Sequence, residues 1–117
     1  MKLVEISQAQ GTKPVTVMRL RDRINLGNAA EVEKIAGEAI AGGCRYMVID
    51  LSDAPSITSA GIRVLVTIYK LLSGPAQGGE HLKLVCPTPD VREVMKIAGL
   101  LDYICVYEDL DSAVDSF

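Results

Sequence analysis

Residues 47–51 read Met-Val-Ile-Asp-Leu, an apolar run broken only by Asp50. Alternating apolar and polar residues would leave one face of a sheet in water. A near-continuous run instead marks a strand covered on both faces, which means a central strand of a parallel sheet flanked by helices. Ser52, Asp53 and Pro55 follow as a polar turn, and from Gly61 to Ser73 the chain is apolar again with helical length. Strand, turn and long apolar helix impose a layered α/β arrangement on whatever flanks them. Ser59 puts a hydroxyl at the joint, in the position of a helix N-cap.

The flanking segments agree with that layering. Leu3–Ile6 is a short strand, Gln8–Pro14 a turn and Val15–Leu20 a second strand, so the chain opens on an antiparallel hairpin. After the charged loop Arg21–Asn25, Asn28 stands as an N-cap with Glu31 three residues on, the capping-box spacing. Val32, Ile35, Ala36, Ala39 and Ile40 then recur at helical spacing, predicting a helix over 29–41 that ends at Gly42-Gly43. The central strand is predicted over Arg45–Leu51 and the following helix over Gly61–Ser73. Gly74–Glu80 is a flexible loop, and His81–Cys86 alternates as a strand stopped by Pro87. Thr88 and Pro89 form an N-cap and N1 pair ahead of a helix striped by Val91, Val94, Met95 and Ala98 and closed by Gly99. Tyr103–Tyr107 is a last strand and Asp109–Val114 a short terminal helix. The expected fold is α/β: one domain over residues 1–117, with a mixed, mostly parallel central sheet of four to five strands and about four helices.

Composition and motifs exclude several kinds of chemistry. The net charge is −3 and no Lys/Arg run occurs, so a direct nucleic-acid footprint is absent. Three widely spaced cysteines, Cys44, Cys86 and Cys105, are odd in number, and Cys86 and Cys105 lie in apolar runs that read as buried free thiols. The one histidine, His81, has no Cys or His neighbour in sequence and reads as exposed, so neither a zinc site nor a catalytic dyad is expected. No phosphate-cradling glycine loop is present, so no cofactor is expected. Asp50 and Asp53 read as loop solvation and turn capping. An Asp at the end of a central strand also resembles the acceptor of phosphoacceptor receiver domains, but those need an acidic pair after the first strand to hold Mg²⁺. Here Gln8, Gln10 and Gly11 follow instead. The stretch MKLVEISQAQ carries no long apolar core and no 18-residue apolar run occurs, so no membrane span and a cytoplasmic location are expected.

On the helix after Ser59, residues Arg63, Thr67 and Lys70 fall on a narrow polar stripe. Ile62, Val64, Leu65, Val66, Ile68, Tyr69, Leu71 and Leu72 fill an arc of about 220°, where one sheet-facing stripe needs only about 100°. Either a neighbouring helix covers the surplus or it is a partner surface. Ser59 has two readings as well. It is a simple cap, or it is a site where a phosphate would sit comfortably at the positive helix end while repelling an apolar or acidic partner.

The segment Val48-Ile49-Asp50-Leu51-Ser52, then Ile57-Thr58-Ser59-Ala60-Gly61-Ile62-Arg63-Val64-Leu65, resembles the STAS domain family, the anti-sigma factor antagonists of bacteria. That family's pattern is an apolar strand ending in Asp-Leu-Ser, then Asp-Ser-Ser/Thr-Gly-Leu/Ile and an apolar helix. Val91–Leu100, Ile104–Tyr107 and Leu110–Ala113 fit its last helix, strand and helix. The resemblance implies a non-enzymatic protein that binds an anti-sigma factor kinase of the histidine-kinase-like ATPase type and so frees a sigma factor. It implies phosphorylation by that kinase at Ser59 and restoration by a PP2C-type phosphatase. The partner-binding residues it implies are Asp22, Asn25, Thr58, Ser59, Ala60, Gly61, Ile62, Arg63 and Val64. Three positions depart from the family pattern: Thr58 stands where Asp is usual, Ala60 where Ser/Thr is usual, and Asp22 where Gly is usual. Two other functions compete. One is a constitutive scaffold or transport-complex subunit of the same fold, in which Ser59 is a cap and Ser59→Ala costs about 1 kcal/mol of stability. The other is a small-molecule or nucleotide enzyme, which requires a concave pocket of convergent polar groups at the carboxyl ends of the strands.

Overall fold

A computed structural model describes residues 4–22, 24–54, 58–73, 81–86, 88–102 and 104–117. Expectations that rest on Leu3, Arg23, Pro55, Ile57, the 74–80 loop, Pro87 and Tyr103 lie outside the described residues.

Among the described residues, five strands and four helices follow one another in the order β1 (Val4–Gln10), β2 (Pro14–Leu20), α1 (Ala29–Ala41), β3 (Met47–Asp50), α2 (Ser59–Ser73), β4 (Leu82–Val85), α3 (Pro89–Ile97), β5 (Cys105–Tyr107) and α4 (Leu110–Asp115). A 3₁₀ turn over Leu100–Asp102 joins α3 to β5. The strands lie in sequence order across one sheet, β1–β2–β3–β4–β5. β1 and β2 run antiparallel, and each later strand runs parallel to its predecessor. The mixed, mostly parallel sheet expected from the sequence is therefore the one observed.

That order decides where the helices go. Successive right-handed crossovers that always step in the same direction deliver every crossover helix to one face. Accordingly Val32, Ala36, Val64, Leu65, Ile68, Val91 and Met95 from α1, α2 and α3 join Met18, Leu20, Met47, Ile49, Leu82 and Leu84 in one core. The opposite face is left to α4, whose Ala113 and Val114 close over Val15, Val17, Val48 and Val85. The central strand is covered on both sides as its composition demanded: Met47 and Ile49 point one way and Val48 the other, all fully buried. On the α4 side, Lys83 is also buried and donates to the Ser116 carbonyl at 2.9 Å and hydroxyl at 2.8 Å, with its ammonium 4.6 Å from the Phe117 ring centre. This ammonium and the Asp109 cap, which accepts from Ser112 N at 2.7 Å, fix a helix too short to hold by itself.

Several local expectations change. The hairpin is longer than the predicted strand and turn, since pairing runs from Val4↔Leu20 to Gln10↔Pro14. Gln8 and Thr16 hydrogen-bond across it at 3.2 Å, so an edge strand of polar residues is held by cross-strand pairs rather than by an apolar pattern. Asn28 does occupy the N-cap of α1, but its side chain makes no cap bond; its Oδ1 accepts from Asn25 N at 2.7 Å instead. Cys86 is buried as expected, whereas Cys105 is exposed because β5 is a three-residue edge strand. His81 is half-buried, stacked on Tyr46 at 5.2 Å with Nδ1 2.9 Å from the Arg45 carbonyl. Gly43 and Gly99 end α1 and α3 with φ of +112° and +82°, the left-handed conformation that glycine adopts without penalty.

The wide apolar arc of α2 resolves largely into packing. Val64, Leu65 and Ile68 are buried, and Ile62, Val66, Tyr69 and Leu72 pack against the same core partly covered, with α1 lying along α2. Only Leu71 of that arc is markedly exposed.

Candidate functional site

The carboxyl ends of β2 and β3 are neighbours in the sheet, so the loop that leaves each strand meets the other at one edge. The β2–α1 loop carries Asp22, Asn25, Leu26 and Gly27, all exposed. The β3–α2 loop ends in Thr58, and Ser59 opens α2. Together Asn25, Leu26, Gly27, Thr58, Ser59 and Ala60 line a shallow concavity.

Thr58, not Ser59, caps α2. The Thr58 carbonyl accepts the first helical bond from Ile62 N at 3.0 Å, and its Oγ1 accepts from Gly61 N at 3.1 Å. That leaves Thr58 at N-cap, Ser59 at N1 and Gly61 at N3, the arrangement that satisfies an otherwise orphaned donor. The Thr58 hydroxyl also donates to the carbonyl of Ile24, a buried residue of the β2–α1 loop. One hydroxyl therefore both starts the helix and clamps the two loops together. It does so where the family pattern has Asp, which could accept from Gly61 N but, ionised, could not donate to Ile24. Ser59 is released from capping and stands exposed at the first helical position.

The other expected site residues divide by burial. Asp22, Asn25, Ser59 and Arg63 are exposed, and Thr58 and Ile62 are half-buried. Ala60, Gly61 and Val64 are buried and shape the start of α2 from within, Ala60 also lining the concavity. Sequence reading passed over Leu26, which the structure sets 87% exposed on the rim of the concavity. Its signal was available: an apolar residue between the turn-formers Asn25 and Gly27-Asn28, outside any helical or strand period.

Behind the site the loops are tied by charge. Asp50 is buried and accepts from Ser52 N at 2.9 Å and Ser52 Oγ at 2.6 Å, closing the turn after β3. Asp53 accepts from Arg19 Nε at 3.0 Å and from Arg21 at 2.9 Å, and Arg21 also pairs with Glu5. The hydrogen bond from Arg19 is the main cause holding the Asp53 carboxyl below its ordinary value of 3.8, and Arg21 adds to it. A carboxylate whose acidity is raised by folding stabilises the native state above its unfolded pKa and loses that contribution as pH falls through the folded one. Asp53→Asn is therefore expected to be less stable than the parent at pH 7, by a margin that shrinks as pH falls below the ordinary carboxylate range, measured by urea titration at pH 7 and in acid. A margin that does not shrink in acid would mean the contribution is packing rather than charge.

The concavity has hydroxyls, an amide, a leucine and small residues, and no ionisable side chain among the described residues lines it. No cluster of His, Cys, Asp or Glu able to hold a metal occurs among the described residues. Nor is any helix of the described residues long and apolar enough to cross a membrane. What the edge offers is a clamped loop pair with an exposed hydroxyl and an exposed leucine, suited to recognition by another surface.

Comparison with known proteins adds relatives to this geometry. The STAS domain profile matches residues 7–113. A Bordetella bronchiseptica protein assigned as the anti-sigma factor antagonist BtrV is 34% identical over 98 residues, spanning 84% of this chain and 82% of the relative. The crystal structure of an anti-sigma factor antagonist from Mycobacterium paratuberculosis is similar with a TM-score of 0.79 at 25% identity, covering 95% of this chain and 89% of that one. The Bacillus cell fate determinant SpoIIAA in its phosphorylated form shares the fold with a TM-score of 0.66 at 17% identity, covering 95% and 97%.

Proposed function

This chain belongs to the STAS domain family, and on that premise we propose that it is an anti-sigma factor antagonist whose docking is switched at Ser59. It acts by binding, not by catalysis. The unmodified protein docks on an anti-sigma factor kinase of the histidine-kinase-like ATPase type through the edge formed by Asp22, Asn25, Thr58, Ser59, Ile62 and Arg63, and sigma factor is released. The kinase transfers a phosphoryl group to Ser59 Oγ, the complex separates, and a PP2C-type phosphatase resets the serine. Buried Ala60, Gly61 and Val64 hold the helix start against the core and serve docking through that shape.

The observation that carries this reading is the division of labour between adjacent hydroxyls. Because Thr58 takes the capping and clamping bonds, the Ser59 hydroxyl is exposed at the first helical position. A phosphate there meets the positive end of the α2 dipole, so the fold accepts it. A partner pressed on the same edge would have to strip water from two added charges, so docking does not. In the scaffold alternative Ser59 serves as the cap, a bond that Thr58 makes instead.

Incubating the protein with ATP and the purified anti-sigma factor kinases of its own organism, then mapping phosphate by mass spectrometry, tests the reading. One phosphate on Ser59, absent from Ser59→Ala, is expected. A kinase that binds the protein tightly and leaves Ser59 unmodified would remove the switch.

A further inference from the structure

Leu26 is 87% exposed, more than any other large apolar side chain among the described residues. Single exposed leucines are ordinary on protein surfaces; this one differs in how it is held. Asn25 Oδ1 accepts from Gly27 N at 2.8 Å and Asn28 N at 3.1 Å, and Asn28 Oδ1 accepts from Asn25 N at 2.7 Å. Both flanks of Leu26 are thus fixed by side-chain bonds. Two residues earlier Ile24 is buried, and its carbonyl receives the Thr58 hydroxyl. The loop presents an apolar tip in an ordered backbone while giving it almost no cover of its own. Such a tip loses little backbone entropy when a partner buries it, so most of its transfer free energy is available to binding.

Its neighbours say what kind of contact it makes. Gly27 and Ala60 are the smallest side chains lining the concavity, and Ser59 lines it with Leu26. Among the described residues, the exposed charges nearest the concavity, Asp22 and Arg63, are of opposite sign, so together they set up no single-sign field. We infer that Leu26 is the apolar anchor of docking, received by an apolar recess on the anti-sigma factor, and that phosphate on Ser59 prevents docking by keeping that recess from closing dry. The inference rests on the reading of Ser59 as the switch and adds where the binding energy lies and how the switch reaches it. A recess closing over Leu26 brings apolar surface against the concavity that Ser59 lines. A doubly charged group there retains its water, and the leucine cannot be desolvated without desolvating the phosphate.

The test is a double-mutant cycle on the full chain, with Kd measured by titration calorimetry against each purified full-length anti-sigma factor of the same organism. Leu26→Ala is expected to weaken binding about 30-fold and Leu26→Met less than about threefold, with unchanged Tm for both. Ser59→Asp is expected to weaken the parent at least about fivefold more than it weakens Leu26→Ala, because the charge acts through the anchor. Parent-like binding by Leu26→Ala, with Ser59→Asp still disruptive, would overturn the anchor and leave the switch standing. Equal Ser59→Asp penalties in both backgrounds would overturn the coupling between them. Loss of self-association in Leu26→Ala, seen by ultracentrifugation with anti-sigma factor binding intact, would make the occupant a second copy and overturn the inference. A parent that binds none of the anti-sigma factors would overturn both this inference and the function it rests on.

Discussion

Ser59→Asp is expected to abolish docking while leaving the fold untouched: a loss of about 100-fold in affinity for the anti-sigma factor, with Tm within about 2 °C of the parent. Both halves follow from the same geometry. Ser59 is exposed and makes none of the bonds that start α2, since Gly61 N and Ile62 N are satisfied by Thr58. A carboxylate at the first helical position faces the positive end of the helix and is neutral to slightly stabilising there. On docking, that same carboxylate would be pressed against the partner's surface and have to shed its water, the situation in which an interfacial charge becomes expensive. Affinity is read by titration calorimetry and Tm by differential scanning calorimetry. A large fall in Tm would mean that Ser59 carries structure, and the switch would then be indistinguishable from unfolding.

The opposite pattern is expected one residue earlier. Thr58→Val keeps the shape of the side chain and removes the hydroxyl, so Gly61 N loses its cap and the Ile24 carbonyl its donor. Loss of a cap costs about 1 kcal/mol, and an unmet buried acceptor adds a similar amount. A total near 2 kcal/mol lowers the Tm of a domain this size by roughly 8 °C. Docking should weaken too, because the β2–α1 loop is no longer clamped against α2 and Leu26 is no longer held in register with Ser59. Thr58→Ser restores both bonds and most of the stability. Ser59→Ala, by contrast, is expected to change stability by less than about 0.5 kcal/mol. A chain in which Ser59→Ala destabilises more than Thr58→Val would reverse the assignment of cap and switch.

That assignment also marks where reading the sequence stops. The α/β layering was legible because its signals are local: the near-continuous apolar run of β3, the helical recurrence from Val32 to Ile40, and glycines beyond the ends of α1 and α3. Thr58 and Ser59 are both capping residues and adjacent, so no local rule separates them. The choice between them is visible only once the structure brings Ile24, 34 residues away, to the Thr58 hydroxyl. The same holds for the apolar arc of α2, whose surplus has meaning only once α1 is seen lying beside it. Cys105 sits in an apolar run that reads as buried, and its exposure follows from the strand's place at the sheet edge, a property of topology. Leu26 was missed for a different reason. Periodicity finds residues that face a core, and a residue placed to face a partner obeys no period.

The central claim is that this chain displaces sigma factor, and that Ser59 decides whether it can. A preformed complex of sigma factor with its anti-sigma factor, immobilised through the latter, reports this directly when the chain is passed over it. Release of sigma factor by the unmodified protein, and none by protein phosphorylated at Ser59, is the expected result. Sigma factor that stays bound in the presence of saturating unmodified protein, or that leaves equally with the phosphorylated form, would contradict it.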